Sequence, residues 1–232
     1  MNRISELKGH VIICGYGKVG RNAALQLKAL KQSYVVIEKE IPEGADEDLL
    51  VVQGDAKDEV LLKAGIKNAR SLITALPTDP GNLYVVLSAR SLNSKLRVIS
   101  RAMSIEAVGK LKTAGAESVV TPDTVGGMYI ASLAVNPDMM TFLDMITAQG
   151  SGDASMEEIA VDDLPEQRVF QTIGDLQREG LFGCLIIGYK NNKGEYLINP
   201  DKDTRLEAHS KLFVIGKPDQ IRELHENLSS LK

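Results

Sequence analysis

The sequence predicts an α/β protein: a doubly wound parallel sheet, then a helical crossover, then a small C-terminal α+β domain. Three observations carry that prediction. Short apolar runs alternate with helix-period segments through six strands before residue 121, the pattern of parallel strands joined by crossover helices. An apolar helical stretch is cut in two at Asn136-Pro137, because proline removes an internal hydrogen bond and clashes with the preceding turn. Beyond Gln149-Gly150-Ser151-Gly152-Asp153, whose composition is that of a linker, short strand patterns take over. These breaks divide the chain into residues 1–121, 122–150 and 151–232.

In chain order, Val11-Ile12-Ile13-Cys14 is the first strand. It meets Gly15-Tyr16-Gly17-Lys18-Val19-Gly20 and a helical segment carrying Val19, Ala23, Leu27 and Leu30, and a second apolar run from Tyr34 to Ile37 ends on Glu38. A G-x-G-x-x-G turn between a strand and a helix is the Rossmann-like nucleotide loop. Gly15 serves the tight turn, Gly17 lets backbone approach a pyrophosphate or ribose, and Gly20 lets the helix lie close to the strand. The helix N-terminus offers unpaired N–H groups and partial positive charge to an anion. Glu38, 18 residues past Gly20, can accept bonds from both ribose hydroxyls, and its charge disfavours a 2′-phosphate and hence NADP. The ligands this predicts are NAD(H) or ATP, ADP or AMP.

Leu49 to Val52 reads as a third strand, ending in Gln53-Gly54-Asp55-Ala56. Asp55 there is either a contact to adenine or ribose or an N-cap for the helix through Glu59 to Leu62, two compatible roles. Ala69 to Ala75 is a fourth strand, Leu76 to Gly81 a loop at its carboxyl end, and Asn82 to Leu92 a helix. Leu96 to Ser100 is strand five, with Arg101 after it as a phosphate contact or a surface cation. Ser104 to Thr113 is a helix and Ser118 to Val120 strand six. The two helices on either side of Pro137 are Met-rich and apolar on more than one face; they either cover their own sheet or make a subunit contact. In the last segment strands are expected over Met156 to Val161, Phe182 to Tyr189, Glu195 to Ile198 and Lys211 to Ile215, with a short helix from Ile173 and a final one from Pro218.

Composition sets limits on function. An apolar share of 44% with 25% charged residues is that of an ordinary globular protein. Net charge is −4 and no Lys/Arg block reaches five residues, so neither nucleic acid nor an anionic membrane is expected as a partner. Cys14 and Cys184 each sit in an apolar run and read as small buried hydrophobes in a reducing, cytosolic setting. No apolar run is long enough to span a bilayer, which predicts a soluble chain. The short polar leader from Arg3 to Lys8 has the look of a connection continuing from something upstream.

Taken together, HVIICGYGKVGRNAALQL, VVIEKE, VVQGDAKDEVLLKAGI, VISRA, AGAESVVTPDTVGGMYIASL and YLINPDKDTRLEAHSKLFVIGKP resemble the RCK domain. This is the KTN/Trk-type cytoplasmic regulator of potassium conductance in prokaryotic potassium channels and transporters. The resemblance covers nearly the whole chain; Ala208-His209 stands where many relatives carry a glycine and an acid. It implies an N-terminal Rossmann lobe, a crossover over residues 122–150 that swaps with a partner in a homodimer, and a C-terminal regulatory lobe. Dimers of such units form an octameric ring that pulls on a transmembrane potassium pore, carried by the same full-length chain or by a separate subunit, at the inner face of the cell membrane. The site residues it implies are Gly15, Tyr16, Gly17, Lys18 and Val19 at the phosphates, Glu38 and Lys39 at the ribose, and Gly54, Asp55 and Ala56 at adenine. Ala75 and Leu76 would lie beside the cofactor and Arg101 at phosphate. Some relatives bind calcium through carboxylates after strands four and five; here those places hold Ala75, Arg101 and Met103, so no metal is expected.

The rival reading is an NAD-dependent oxidoreductase. Hydride chemistry needs a proton donor or acceptor near the nicotinamide, and of the three histidines His10 precedes the first strand while His209 and His225 lie in the last segment. A sensor without catalytic residues is therefore expected rather than an enzyme, with the peripheral subunit of a potassium uptake transporter as the alternative to a channel domain.

Overall fold

The computed structural model describes residues 2–40, 48–147, 154–164, 170–178 and 183–229. The linker assigned to Gln149–Asp153 and most of the acidic stretch after Glu40 lie outside the described residues. The chain folds as two compact units, Met1–Ala131 and Ser132–Lys232.

In the first unit a short helix, α1 (Asn2–Ser5), precedes the strands β1 (Val11–Cys14), β2 (Tyr34–Glu38), β3 (Val51–Gln53), β4 (Ser71–Thr74), β5 (Arg97–Arg101) and β6 (Ser118–Val120). Between them run α2 (Lys18–Ala29), α3 (Asp58–Lys63), α4 (Asp79–Leu92) and α5 (Ile105–Thr113). The strands form one parallel sheet in the order β3-β2-β1-β4-β5-β6. All four residues of β1 are buried, as expected where helices cover both faces of a parallel sheet. Alternation along the strand sends Ile12 and Cys14 into the larger core with Val35, Ile37, Leu72 and Val98, and Ile13 into a smaller one with Ala24 and Val36. Burial pushes the Cys14 thiol up, in keeping with its reading as a buried hydrophobe.

Several boundaries correct the sequence reading. Residues 79–81, assigned to a loop, are the first turn of α4. Thr78 caps it by accepting the Gly81 N–H at 3.3 Å, and Pro80 stands in the first turn where its missing donor costs least. The third strand starts at Val51 rather than Leu49, and Arg101 is the last residue of β5. His10, read only as preceding the first strand, is fully buried with Nε2 2.9 Å from the Ala64 carbonyl.

The helix α6 (Pro122–Val135) crosses the division between the units and is followed by α7 (Pro137–Thr147). The second unit continues with β7 (Ser155–Ala160), a 3-10 turn (Val161–Asp163), α8 (Ile173–Arg178), β8 (Leu185–Lys190), β9 (Tyr196–Ile198), β10 (Lys211–Gly216) and α9 (Pro218–Ser229). Its four strands are antiparallel in the order β7-β10-β8-β9. Ile159, Ile173, Leu176, Ile186, Tyr189, Leu212 and Val214 fill its core.

Two carboxylates tie the loops of this unit. Asp162 accepts the His209 N–H at 3.0 Å, which holds its carboxyl below the usual range; His209 itself has φ 62, a left-handed turn that a glycine would adopt more easily. Asp175 accepts the Thr172 hydroxyl at 3.0 Å and the Thr172 N–H at 2.9 Å, and these bonds lower its pKa in the same way. A folded pKa below the unfolded value of about 3.9 stabilises the native state above that pH, and the gain is lost as pH falls through the folded pKa. The stability difference between wild type and Asp175→Asn, read from denaturation midpoints, is therefore expected to narrow between about pH 6 and pH 3. A difference that stays constant over that range would contradict this assignment.

Candidate functional site

β1 lies between β2 and β4, so the chain builds the sheet outward in opposite directions from this strand and its neighbour. The crevice at the carboxyl ends of the strands there is where such sheets bind ligands. The glycine loop fills that position. Gly15 has φ 96, and its N–H donates to the Ile37 carbonyl at 2.9 Å. A Cβ on Gly20 would lie 1.9 Å from the Gly15 carbonyl oxygen, whereas a Cβ on Gly17 would meet nothing within 4 Å. Gly17 is also the N-cap of α2, contributes no side-chain bond, and is followed by a first turn without an acid. The positive end of the helix is thus uncompensated at the loop.

Around the loop opens a cleft of about 510 Å³. It is lined by Gly15 and Gly17, by Glu38 and Lys39 at the end of β2, by Gly54, Asp55 and Ala56 after β3, by Ala75 and Leu76 after β4, and by Arg101 at the end of β5. Four other sequence-predicted residues are not among its lining. Lys18 and Val19 lie in the first turn of α2, Gly20 is buried beneath the loop, and Tyr16 packs on the Ile13, Ala24 and Val36 core with the Arg21 guanidinium 5.5 Å above its ring.

Glu38, read from the sequence as a ribose contact, has a structural role in the loop. Its Oε2 accepts the Tyr16 N–H at 2.5 Å and its Oε1 the Lys39 N–H at 2.8 Å, so the carboxylate fastens the glycine loop to the end of β2. Each oxygen keeps a further lone pair for a hydroxyl. Asp55 is not the cap of α3, whose N-cap is Lys57 without a side-chain bond. Asp55 pairs instead with Lys39 Nζ at 3.0 Å, an exposed pair of small energetic weight. The Arg101 Nε is buried and finds no acceptor among the described residues. Arg101 therefore lines the cleft rather than standing on the next helix as a surface cation.

The lining also takes in Pro77, Thr78 and Gly81, from the segment that the sequence places on the ligand side after the fourth strand, and Ile37, which sequence reasoning missed along with Asn82 behind them. The Asn82 side chain is fully buried. Its Oδ1 accepts the Thr74 hydroxyl at 2.6 Å and the Leu76 N–H at 2.9 Å, and its Nδ2 donates to the Leu76 carbonyl at 3.2 Å. One amide thus sets the shape of the wall formed by Ala75 and Leu76. Among the described residues no group of three or more His, Cys, Asp or Glu stands close enough to hold a metal ion, and no helix is long and apolar enough to cross a membrane.

Comparison with known proteins adds three findings. The family model described as the TrkA-N domain matches residues 11–122, and that described as the TrkA-C domain matches residues 169–229. The probable potassium channel protein 2 of Methanocaldococcus jannaschii is 31% identical over 242 residues, which cover 100% of this chain and 70% of that protein. Among solved structures, the GsuK RCK domain aligns at 25% identity with a TM-score of 0.51 over 97% of this chain and 47% of the other. The GsuK channel bound to NAD aligns at 25% identity with a TM-score of 0.52, over 97% of this chain and 39% of the other. The chain therefore spans less than half the length of these two solved chains.

Proposed function

We propose, from the premise that this chain belongs to the TrkA-N and TrkA-C domain family and has the RCK fold, that it is the ligand-sensing part of a potassium channel. In this reading NAD(H) or an adenine nucleotide binds the cleft at the glycine loop, and the binding biases the gate of a transmembrane pore. A ligand can move such an equilibrium only by its difference in affinity between the two states, with about 1.4 kcal/mol for each tenfold shift.

The observation that carries the reading is the division of charge in the cleft. Glu38 and Asp55, the latter paired with Lys39, stand on the β2–β3 side, suited to a ribose and an adenine. The start of α2, without a side-chain cap, lies at the centre, and Arg101, whose buried Nε has no acceptor among the described residues, stands on the β5 side with its guanidinium suited to phosphate. Its ionisable side chains, Glu38, Lys39, Asp55 and Arg101, are placed for recognition; the reading is of a sensor and not an enzyme. Partner contact is assigned to α6 and α7, where Met128, Ile130, Val135, Met139 and Phe142 are exposed and no residue of α6 is buried. An apolar surface of that extent fits a homodimer contact, and dimers built this way would assemble into a ring beneath the pore.

Thermal unfolding in the presence of NAD, NADH, ATP, ADP, AMP and NADP tests the nucleotide. A ligand at 100 times its dissociation constant is expected to stabilise by about 2.7 kcal/mol, with NADP the weakest because its 2′-phosphate meets Glu38. Unshifted melting with all six would overturn the proposal.

A further inference from the structure

Asp79, the first residue of α4, is half-buried and does not line the cleft. Thr78 already caps α4 through the Gly81 N–H, so the Asp79 carboxylate is left for another element. It reaches the turn between β5 and α5, 24 residues further along the chain. Oδ1 accepts the Met103 N–H at 2.6 Å and Oδ2 accepts the Ser104 hydroxyl at 3.0 Å. Ser104 is the N-cap of α5, with extended backbone at φ −125 and ψ 153, the position from which a serine ordinarily bonds to the first helical turn. It makes no such bond here. Its hydroxyl goes to Asp79 instead.

The sheet explains why this turn needs an outside tie. On one flank of β5 the pairing with β4 ends at Thr74 opposite Ser100. On the other flank β6 reaches one residue further, with Val120 opposite Arg101 and the Ala102 N–H donating to the Val120 carbonyl at 2.8 Å. From Arg101 onward the chain is therefore held by strand pairing on the β6 side and by Asp79 on the β4 side. Arg101 lies two residues before Met103, and its buried Nε has no acceptor among the described residues, so the aim of the guanidinium follows the backbone that carries it.

We propose that Asp79 is a positioning residue for the phosphate end of the cleft: by tying the turn after β5 to the start of α4, it holds Arg101 in the cleft wall where its remaining N–H groups meet a phosphate. The inference rests on the nucleotide reading given above. The charge of Asp79 acts in the opposite sense, since a carboxylate on this side of the cleft disfavours an anion. Loss of the tie and loss of the charge thus have effects of opposite sign on phosphate binding, which makes them separable.

The test is calorimetric titration of the whole chain with adenosine, AMP and ADP. Asp79→Ala is expected to weaken AMP and ADP by roughly three- to tenfold, because the ligand must then order Arg101 and its turn. Adenosine, which brings ribose and adenine without phosphate, is expected to bind as to wild type. Asp79→Asn keeps an acceptor for the Met103 N–H and gains a donor for the Ser104 oxygen, so it should restore AMP affinity. Ser104→Ala removes one of the two bonds and should weaken AMP less than Asp79→Ala does. In an Arg101→Ala background Asp79→Ala should cause no further loss, since the two residues act as one unit. AMP affinity that is unchanged or tighter in Asp79→Ala, an equal loss for adenosine and AMP, or a loss that persists in the Arg101→Ala background would each overturn the role of Asp79 and leave the nucleotide reading standing. A wild-type chain that binds none of the three ligands would overturn both. Should circular dichroism show Asp79→Ala unfolded, Ser104→Ala decides: unchanged AMP affinity, or an equal loss of adenosine, would overturn the proposal.

Discussion

Gly20→Ala is expected to lower the stability of the first unit by roughly 3 kcal/mol or more and to abolish nucleotide binding. The new methyl group would sit 1.9 Å from the Gly15 carbonyl oxygen, well inside contact distance. That oxygen belongs to backbone, so it cannot swing aside as a flexible side chain would. Overpacking of a tight site typically costs about 1 to 3 kcal/mol and occasionally more, and here the yielding element is the loop that forms the cleft. At about 2 to 4 °C per kcal/mol for a chain of this size, the melting temperature should fall by roughly 10 °C. Gly17→Ala is the matched control. A Cβ there meets nothing within 4 Å, so melting should stay within about 0.5 kcal/mol of wild type while ligand affinity drops, because the added methyl occupies cleft rather than protein. Equal melting temperatures for wild type and Gly20→Ala would contradict the geometry of the loop.

The second large effect is expected from Asn82→Ala. The substitution strands the Thr74 hydroxyl and the Leu76 N–H without their shared acceptor and opens a void where a fully buried amide stood. An unsatisfied buried group costs about 1 to 3 kcal/mol, which puts the loss near 3 kcal/mol. Urea unfolding should show a lower midpoint with an unchanged slope, since the native fold and the surface exposed on unfolding are kept. Ligand affinity should weaken as well, because Ala75 and Leu76 lose the group that fixes their position in the cleft wall. A midpoint within error of wild type would show that the Leu76 turn holds without Asn82.

The sheet and the loop were legible because their signals are local. Val11 to Cys14 is apolar throughout since both of its faces are covered, and the spacing of Gly15 and Gly20 follows from two separate steric needs of one turn, while Gly17 keeps the cleft side of the loop open. Glu38 was legible as an acid at a strand end, but its bonds to the Tyr16 and Lys39 N–H groups were not, because a backbone amide has no letter in a sequence. Asn82 was hidden for a related reason: inside a helical segment it reads as one more helix residue, and only the fold brings Thr74 and Leu76 to it. The start of α4 was misread because Pro80 and Gly81 look like loop formers, although proline is well tolerated in a first helical turn. In the second unit Glu195 to Ile198 was read as a strand, yet its position at the edge depends on strand order, which pairwise pattern does not carry.

The buried Nε of Arg101 has a consequence for the kinetics and heat of binding. Folding has already removed water from that edge of the guanidinium, so in the proposed reading a phosphate in the cleft would be met by the other N–H groups of the fork, with no change in hydration at Nε. The dehydration cost that an exposed arginine would add to each encounter is borne once, when the domain folds. Anion capture at this position should therefore carry a more favourable enthalpy than capture by a surface arginine, with the difference appearing as a lower stability of the unliganded protein.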